Sequence, residues 1–134
     1  MLTFVFFPNC NHYNISNLLF LNPNQLNQKN MSFNGNEGEF VTLNDASRWT
    51  ANYRNTIQPG DTIAFAAGKE KLIELLTQDE CLGARIYYGI GDDGEKNLVI
   101  VGVDANGDDL ENGLILDKIS PCPPFCPKKN SLNS

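Results

Sequence analysis

The sequence predicts a small α+β domain in which two amphipathic helices pack on a small antiparallel β-meander. Segments with helical periodicity come first along the chain, and segments with the two-residue alternation of strands follow them. Turn sequences rich in Gly, Asp and Asn separate the later segments, which favours short connections between antiparallel neighbours. A meander needs cover on one face, and the two helices supply that cover.

Two segments carry the helical signal. The first helix is expected to begin near Thr42, because Thr42 and Asp45 resemble a capping box, although Glu or Gln is the better partner. Pro59 ends the segment, and residues 62–66 fit either a short strand or an ordered connector. The second helix is expected over residues 69–78, with a buried face formed by Leu72, Ile73, Leu75 and Leu76.

The strand signals lie in the second half of the chain. Residues 84–90 alternate, so that the even-numbered side chains share one face. Residues 98–103 are apolar on both faces, which is typical of a central strand covered on both sides. Residues 113–116 are expected to form a third, short strand. From these patterns we expect Tyr88, Ile100 and the second helix to form the core.

Composition divides the chain into three parts. Residues 1–41 are expected to be a leader and disordered lead-in, residues 42–119 a single α+β domain, and residues 120–134 a Pro-rich tail. The first thirty residues hold eight Asn and no acid, and they lack the basic n-region and cleavage site of a secretory signal. We therefore expect translation to begin at Met31, with a cryptic export signal as the alternative.

Charge and length limit the classes of function. The 134 residues suffice for one domain and carry a formal net charge of −6. An acidic surface repels nucleic-acid phosphates and anionic lipid headgroups, so we expect no nucleic-acid or membrane binding. No apolar run approaches the roughly 20 residues that span a bilayer. We therefore expect a cytoplasmic protein.

Residues 89–94 match the spacing G-x-G-x-x-G of dinucleotide sites. Such a site needs a helix directly after the glycines, so that the helix N-terminus meets the pyrophosphate. Here a second strand follows instead, and Asp92 and Asp93 would direct negative charge at an anionic ligand. The sequence therefore predicts a hairpin turn, and no cofactor is expected.

A second acidic turn has the spacing of a calcium loop. Asp104, Asn106 and Asp108 occupy its first, third and fifth positions. The sixth position should be Gly and is Asp109, and the twelfth should be Glu and is Ile115. A hairpin turn built on Asn106 and the following Gly explains the same residues.

Three cysteines, Cys81, Cys122 and Cys126, are the candidate chemical residues of the domain. Two prolines between Cys122 and Cys126 favour polyproline II, which places the two α-carbons about 12 Å apart, beyond the roughly 7 Å limit of a disulfide. A disulfide therefore needs a sharp turn, for example through a cis proline. Zinc would need about four ligands, and the domain offers three cysteines and no histidine. We expect the tail to lay Phe125 and one cysteine on the core, with metal binding, or a redox or disulfide role, as alternatives.

Several strings resemble a family of short, uncharacterised bacterial proteins. That family is marked by a G-K helix start, a Y-Y-G strand, V-G-x-D-x-x-G and a terminal C-P-P-x-C. The matching strings are residues 81–89 (CLGARIYYG), 98–104 (LVIVGVD), 107–108 and 122–126 (CPPFC). The resemblance covers residues 45–126 and not residues 1–30, in agreement with a start at Met31. It implies no activity, cofactor or catalytic residue.

No pattern indicates catalysis, because the expected domain has no histidine and no serine in a nucleophile-elbow string. We predict a non-enzymatic interaction or assembly module with a protein partner. Its predicted surface includes Arg85, Tyr87 and Phe125 of the tail. The alternative is a thiol-based metal-binding or redox protein that uses the three cysteines Cys81, Cys122 and Cys126.

Overall fold

A computed structural model describes residues 33–134 of the chain. In this part, two helices and five strands follow in chain order: α1 Leu43–Arg54, β1 Ala64–Ala66, α2 Lys69–Leu76, β2 Gly83–Ile90, β3 Lys96–Val103, β4 Ile115–Leu116 and β5 Ser120–Cys122. The strands form two antiparallel sheets, β2-β3-β4 and β1-β5, which confirms the predicted α+β class. The expected start at Met31 and the alternative export signal lie outside the described residues.

The start of α1 follows the predicted capping pattern with one difference. The Thr42 hydroxyl accepts a hydrogen bond from the backbone N–H of Asp45 at 3.1 Å and donates to the Asp45 carboxylate at 2.8 Å. The carboxylate of Asp is one carbon shorter than that of Glu, and here it meets the cap side chain rather than the cap backbone. Arg48 completes the first turn with an ion pair to Asp45 at 2.8 Å.

The packing of α1 differs from the prediction. None of its residues is buried, and the apolar side chains of Leu43, Trp49 and Tyr53 remain exposed. Polar contacts hold the helix instead. The Tyr53 hydroxyl donates to the Thr62 carbonyl, and Arg54 donates to the backbone oxygens of Leu132 and Ser134. The apolar stripe of α1 therefore borders open space rather than a closed core.

The second helix packs on β3 and β4 but buries fewer residues than predicted. Leu75 is 1% exposed, whereas its neighbour Leu76 is 43% exposed. The Gln78 side chain follows the helix, donating to the Leu75 carbonyl at 2.7 Å and accepting from the backbone N–H of Leu114 at 2.9 Å. This side chain therefore ties the end of α2 to the segment that precedes β4.

No helix of residues 33–134 is long and apolar enough to cross a bilayer.

β2 and β3 form the longest ladder, with eight consecutive antiparallel pairs from Gly83 opposite Val103 to Ile90 opposite Lys96. β4 adds two pairs along the other side of β3, so β3 is the central strand, as predicted. Opposite residues of an antiparallel pair share a face. One face of the sheet therefore carries the even-numbered residues of β2 and β3, and the other face carries the odd-numbered residues.

The core is smaller than the pattern predicts. Within the described residues, the buried apolar side chains are Leu75, Ile100, Val101, Val103 and Cys122. Ile100 lies in the core as expected, but the prediction for Tyr88 is wrong, because its side chain is 95% exposed. α2 packs on β3 and β4 and leaves the neighbouring strand β2 uncovered.

A second, two-stranded sheet joins the connector to the tail. Phe65 lies opposite Pro121, and Ala64 lies opposite Cys122. The connector at residues 62–66 therefore contains a strand, and the predicted tail begins within one.

The predicted lead-in also contacts the domain. The Phe33 ring lies so close to Gly83 that a β-carbon on residue 83 would come within 2.7 Å of the ring.

The hairpin between β2 and β3 confirms the predicted turn. The Gly94 N–H donates to the Gly91 carbonyl and the Gly91 N–H donates to the Glu95 carbonyl, each at 2.9 Å. Gly94 has a φ of 82°, a left-handed conformation that glycine adopts without steric penalty. Since β3 follows this turn directly, the helix that a dinucleotide site requires does not follow the glycines.

Two neighbouring leucines of α2 test the position of the core. Leu75→Ala should lower the free energy of unfolding by about 2–5 kcal/mol, because a buried side chain leaves a cavity. Leu76→Ala, the matched control, should lower it by less than about 1 kcal/mol, because nearly half of that side chain already meets water. Urea denaturation followed by circular dichroism measures both values. Equal losses would contradict the observed packing of α2.

Candidate functional site

Arg85 and Tyr87, two of the predicted interaction residues, lie on the same face of β2 and both contact Asp109. The Arg85 guanidinium forms an ion pair with one carboxylate oxygen and donates to the Gly107 carbonyl at 2.9 Å. The Tyr87 hydroxyl donates to the other carboxylate oxygen. The polar groups of the predicted surface are therefore engaged within the chain.

The position of Asp109 explains why these contacts matter for the sheet. Asp109 lies opposite Val103, on the side of β3 away from β2. The Arg85 side chain must cross β3 to reach it, over the face that carries Val101 and Val103, and both valines are buried. The long carbon stem of arginine suits this cover. The Tyr87 side chain and the Asp109 carboxylate raise the pKa of Arg85, so the guanidinium stays charged.

The turn before Asp109 determines where that residue lies. The Asp104 carboxylate accepts hydrogen bonds from the backbone N–H groups of Asn106 at 2.8 Å and Asp108 at 2.9 Å. Both bonds lower the pKa of Asp104, and the bond from the Asp108 N–H has the larger effect. In the sequence, Asp109 stands out only as a misfit in a calcium pattern. The hairpin turn predicted at Asn106 and Gly107 returns the chain along β3, and this return is the sequence signal that could have found Asp109.

The other face of β2 is apolar and exposed. Ile86 is 56% exposed, Tyr88 95% and Ile90 75%, and we call these three side chains the apolar face. Beside Tyr88 lies a cavity of about 500 Å³, lined by Trp49, Thr50, Tyr53, Thr62, Ile63, Ala64, Phe65, Tyr88 and Leu98. The sequence does not predict this surface, because the alternation of β2 places Tyr88 in the expected core.

Cys122 and Cys126 form a disulfide, with their α-carbons 4.7 Å apart. The predicted extended spacing of the two cysteines is therefore wrong. The two peptide bonds that precede Pro123 and Pro124 are both cis, which provides the sharp turn that a disulfide requires here. The disulfide closes a loop over residues 122–126. Cys122, at the end of β5, is buried, whereas Cys126 is exposed.

The expected docking of Phe125 on the core is also wrong. Its side chain is 67% exposed, although its backbone N–H donates to the Pro121 carbonyl at 2.9 Å. The tail turns back at the two prolines instead of continuing as an extended segment, so Phe125 is not carried across the core. Cys122 is the tail residue that enters the core.

Cys81 is the free cysteine of the described part, and it is half-buried. Its thiol donates to the Gly83 carbonyl at 3.1 Å. Metal ligation requires thiolates, and the other two sulfurs are consumed in the disulfide. In residues 33–134, no three His, Cys, Asp or Glu side chains are grouped as a metal site would need.

Adjacent aspartates test the contact across β3. Asp109→Ala should lower the free energy of unfolding by about 1–3 kcal/mol, because it leaves the Arg85 charge and the Tyr87 hydroxyl without their partner. Asp108→Ala is the matched control and should change it by less than about 0.5 kcal/mol, because the structure shows no contact of that carboxylate. Urea denaturation at neutral pH measures both. A larger loss for Asp108→Ala would contradict the role of Asp109.

Comparison with protein-family models, with curated proteins and with solved structures finds no match to this chain. A function for the chain therefore rests on its own geometry.

Proposed function

We propose that this chain is a small non-enzymatic interaction or assembly module that binds another protein chain on the apolar face of β2. The supporting observation is the exposure of Ile86, Tyr88 and Ile90 on one face of one strand. Successive side chains on one face of a strand are neighbours, so the three form a continuous surface. Contiguous apolar patches of this kind mark protein–protein contacts.

The composition of the surface supports a protein partner. Full burial of a large apolar side chain stabilises a complex by about 1.5–3 kcal/mol. Tyrosine and tryptophan are the residues most enriched among those that dominate binding energy. Tyr88 is central in the apolar face, and Trp49 and Tyr53 border the adjoining cavity. A partner side chain that enters the cavity would contact all three aromatic residues.

The two faces of β2 have different roles in this proposal. Arg85 and Tyr87 hold one face to Asp109, which fixes the strand on β3. Ile86, Tyr88 and Ile90 on the other face have no such engagement and are free to meet a partner. The working surface is thus the face opposite to the one that Arg85 and Tyr87 occupy. Phe125 of the tail is a separate exposed aromatic residue.

Thiol–disulfide exchange is a second candidate function, and the Cys122–Cys126 disulfide is the observation that favours it. Cys126 is the exposed partner. A dithiol reductant would attack the Cys126 sulfur and break its bond to Cys122, which leaves as a thiolate and takes a proton. The second thiol of the reductant would then release Cys126, so the chain gains two electrons and two protons and the reductant becomes a disulfide.

Photo-crosslinking tests the interaction module. A photoreactive phenylalanine analogue in place of Tyr88 should give one discrete adduct with a protein, because that side chain lies in the middle of the apolar face. The adduct should be lost when Ile90→Lys is added, since a charge on the apolar face opposes burial. Mass spectrometry of the adduct measures both results.

The matched control for crosslinking is the same analogue in place of Phe40. Phe40 is an aromatic residue that is fully exposed and lies outside the helices and strands. It should give no discrete adduct. An equal yield from position 40, or none from position 88, would refute the interaction module.

Thiol counting tests the second candidate. With Cys10→Ser, the unfolded chain should show one free thiol before reduction and three after it. If the disulfide exchanges in function, a dithiol reductant should open it in the folded chain, and reoxidation should restore the Cys122–Cys126 pair. Peptide mapping identifies the pair. A disulfide that resists reduction until the chain unfolds would mean a structural role only.

A further inference from the structure

The described residues place no strand along the outer edge of β2, although Phe33 and Gly35 lie close to residues 82 and 83 at its start. In the described part of the chain, β2 pairs with β3 alone, and no strand lies on its other side. In an antiparallel ladder, every second residue directs its backbone N–H and C=O away from the partner strand. An eight-residue edge strand therefore presents a row of backbone donors and acceptors.

β2 lacks the features by which proteins protect an edge strand from pairing. Such features are proline, a bulge, a charge on the strand or a very short strand. β2 has no proline, and its eight pairs with β3 are consecutive. Its one charged residue, Arg85, is engaged with Asp109 on the face opposite the apolar face. By contrast, the edge strand β4 has two residues, too few to serve as a template.

We propose that a second copy of this chain occupies this edge, with the two β2 strands pairing antiparallel about a twofold axis at Tyr88. This inference rests on the proposed function and names the partner. Two three-stranded sheets would become one sheet of six strands. Extended strands add to exposed edges in this way, with main-chain bonds for affinity and side chains for specificity.

The apolar face is self-complementary in this register. Ile86 and Ile90 lie two residues on either side of Tyr88. Antiparallel pairing about Tyr88 places Ile86 of one copy opposite Ile90 of the other, twice, and places the two Tyr88 residues opposite each other. Opposite residues share a face, so the apolar faces of the two copies join on one side of the sheet. A twofold contact requires this palindromic arrangement of side chains.

The acidic turn after β2 bears on the direction of pairing. Asp92 and Asp93 lie in the turn beyond the end of the strand. Antiparallel pairing about Tyr88 sets the turns of the two copies at opposite ends of the paired edges. A parallel pairing would instead set the two acidic turns side by side, and like charges repel. The charges therefore favour the twofold arrangement.

Sedimentation of the purified full chain tests the proposal. The mass should rise with concentration through the micromolar range toward twice 14.9 kDa. Ile90→Lys should weaken dimerisation at least about tenfold, because it places two like charges in the paired edges. Ile73→Lys adds the same charge on an exposed side chain of α2 and should leave dimerisation unchanged. Circular dichroism confirms that each variant is folded.

A charge exchange tests the register through a gain of dimerisation, which a misfolded variant could not produce. Ile86→Glu alone should also weaken the dimer. A chain with both Ile86→Glu and Ile90→Lys should regain it, because residue 86 of one copy then meets the opposite charge at residue 90 of the other. Within one chain Tyr88 separates the two positions, so a monomer gains no such pair. Rescue supports the register, and failure of rescue overturns it.

The outcomes separate this inference from the proposed function. An adduct from position 88 with the mass of two chains supports both. An adduct with a protein of another mass, together with a full chain that stays monomeric, overturns the second copy and leaves the interaction module standing. A monomeric chain that forms no adduct overturns both.

Discussion

The eight-pair ladder between β2 and β3 is the constraint on which the rest of the described structure depends. β4 and α2 both pack against β3, and Asp109 returns to its edge opposite Val103. Three of the buried apolar residues lie on β3 itself. The ladder therefore holds β2 on the strand that α2, β4 and Asp109 share, whereas α1 depends on it least, because α1 is held by polar contacts of Tyr53 and Arg54.

Local features of the fold were predictable from sequence, and the choice of covered faces was not. The Thr42 cap, the glycine turn before β3 and the short strand β4 each depend on a few adjacent residues. The alternation in β2 correctly separated its two faces. It could not show that α2 lies over β3 and β4 and leaves Tyr88 exposed, because that choice depends on packing between distant segments.

The contacts of the candidate site also depend on segments that are distant in the sequence. The sequence predicts Arg85 and Tyr87 as residues that a partner would contact, and the structure engages both with Asp109, which lies more than twenty residues away. Sequence could not show this, because the contact requires β3 to lie between the partners. The prolines after Cys122 favour an extended tail in the sequence, whereas the structure has cis bonds before both prolines and joins Cys122 to Cys126. The spacing of the two cysteines therefore could not be predicted from the local preference of proline.

The small core makes the stability of this chain sensitive to anything that binds the folded state. The second sheet contributes Phe65 to the cavity beside Tyr88, and Cys122 secures that sheet from within the core. Tyr88 of β2 lines one side of the cavity and Phe65 of the second sheet lines another, and both elements have few buried side chains of their own. A partner that binds the folded chain and not the unfolded chain adds its binding free energy to the stability of the fold. Because β2 is joined to the rest through one ladder and the Asp109 contact, a partner strand on its free edge would support it from the uncovered side. The stabilisation grows with the logarithm of the partner's concentration relative to its dissociation constant, so a tight partner on this surface would add to the small core's contribution.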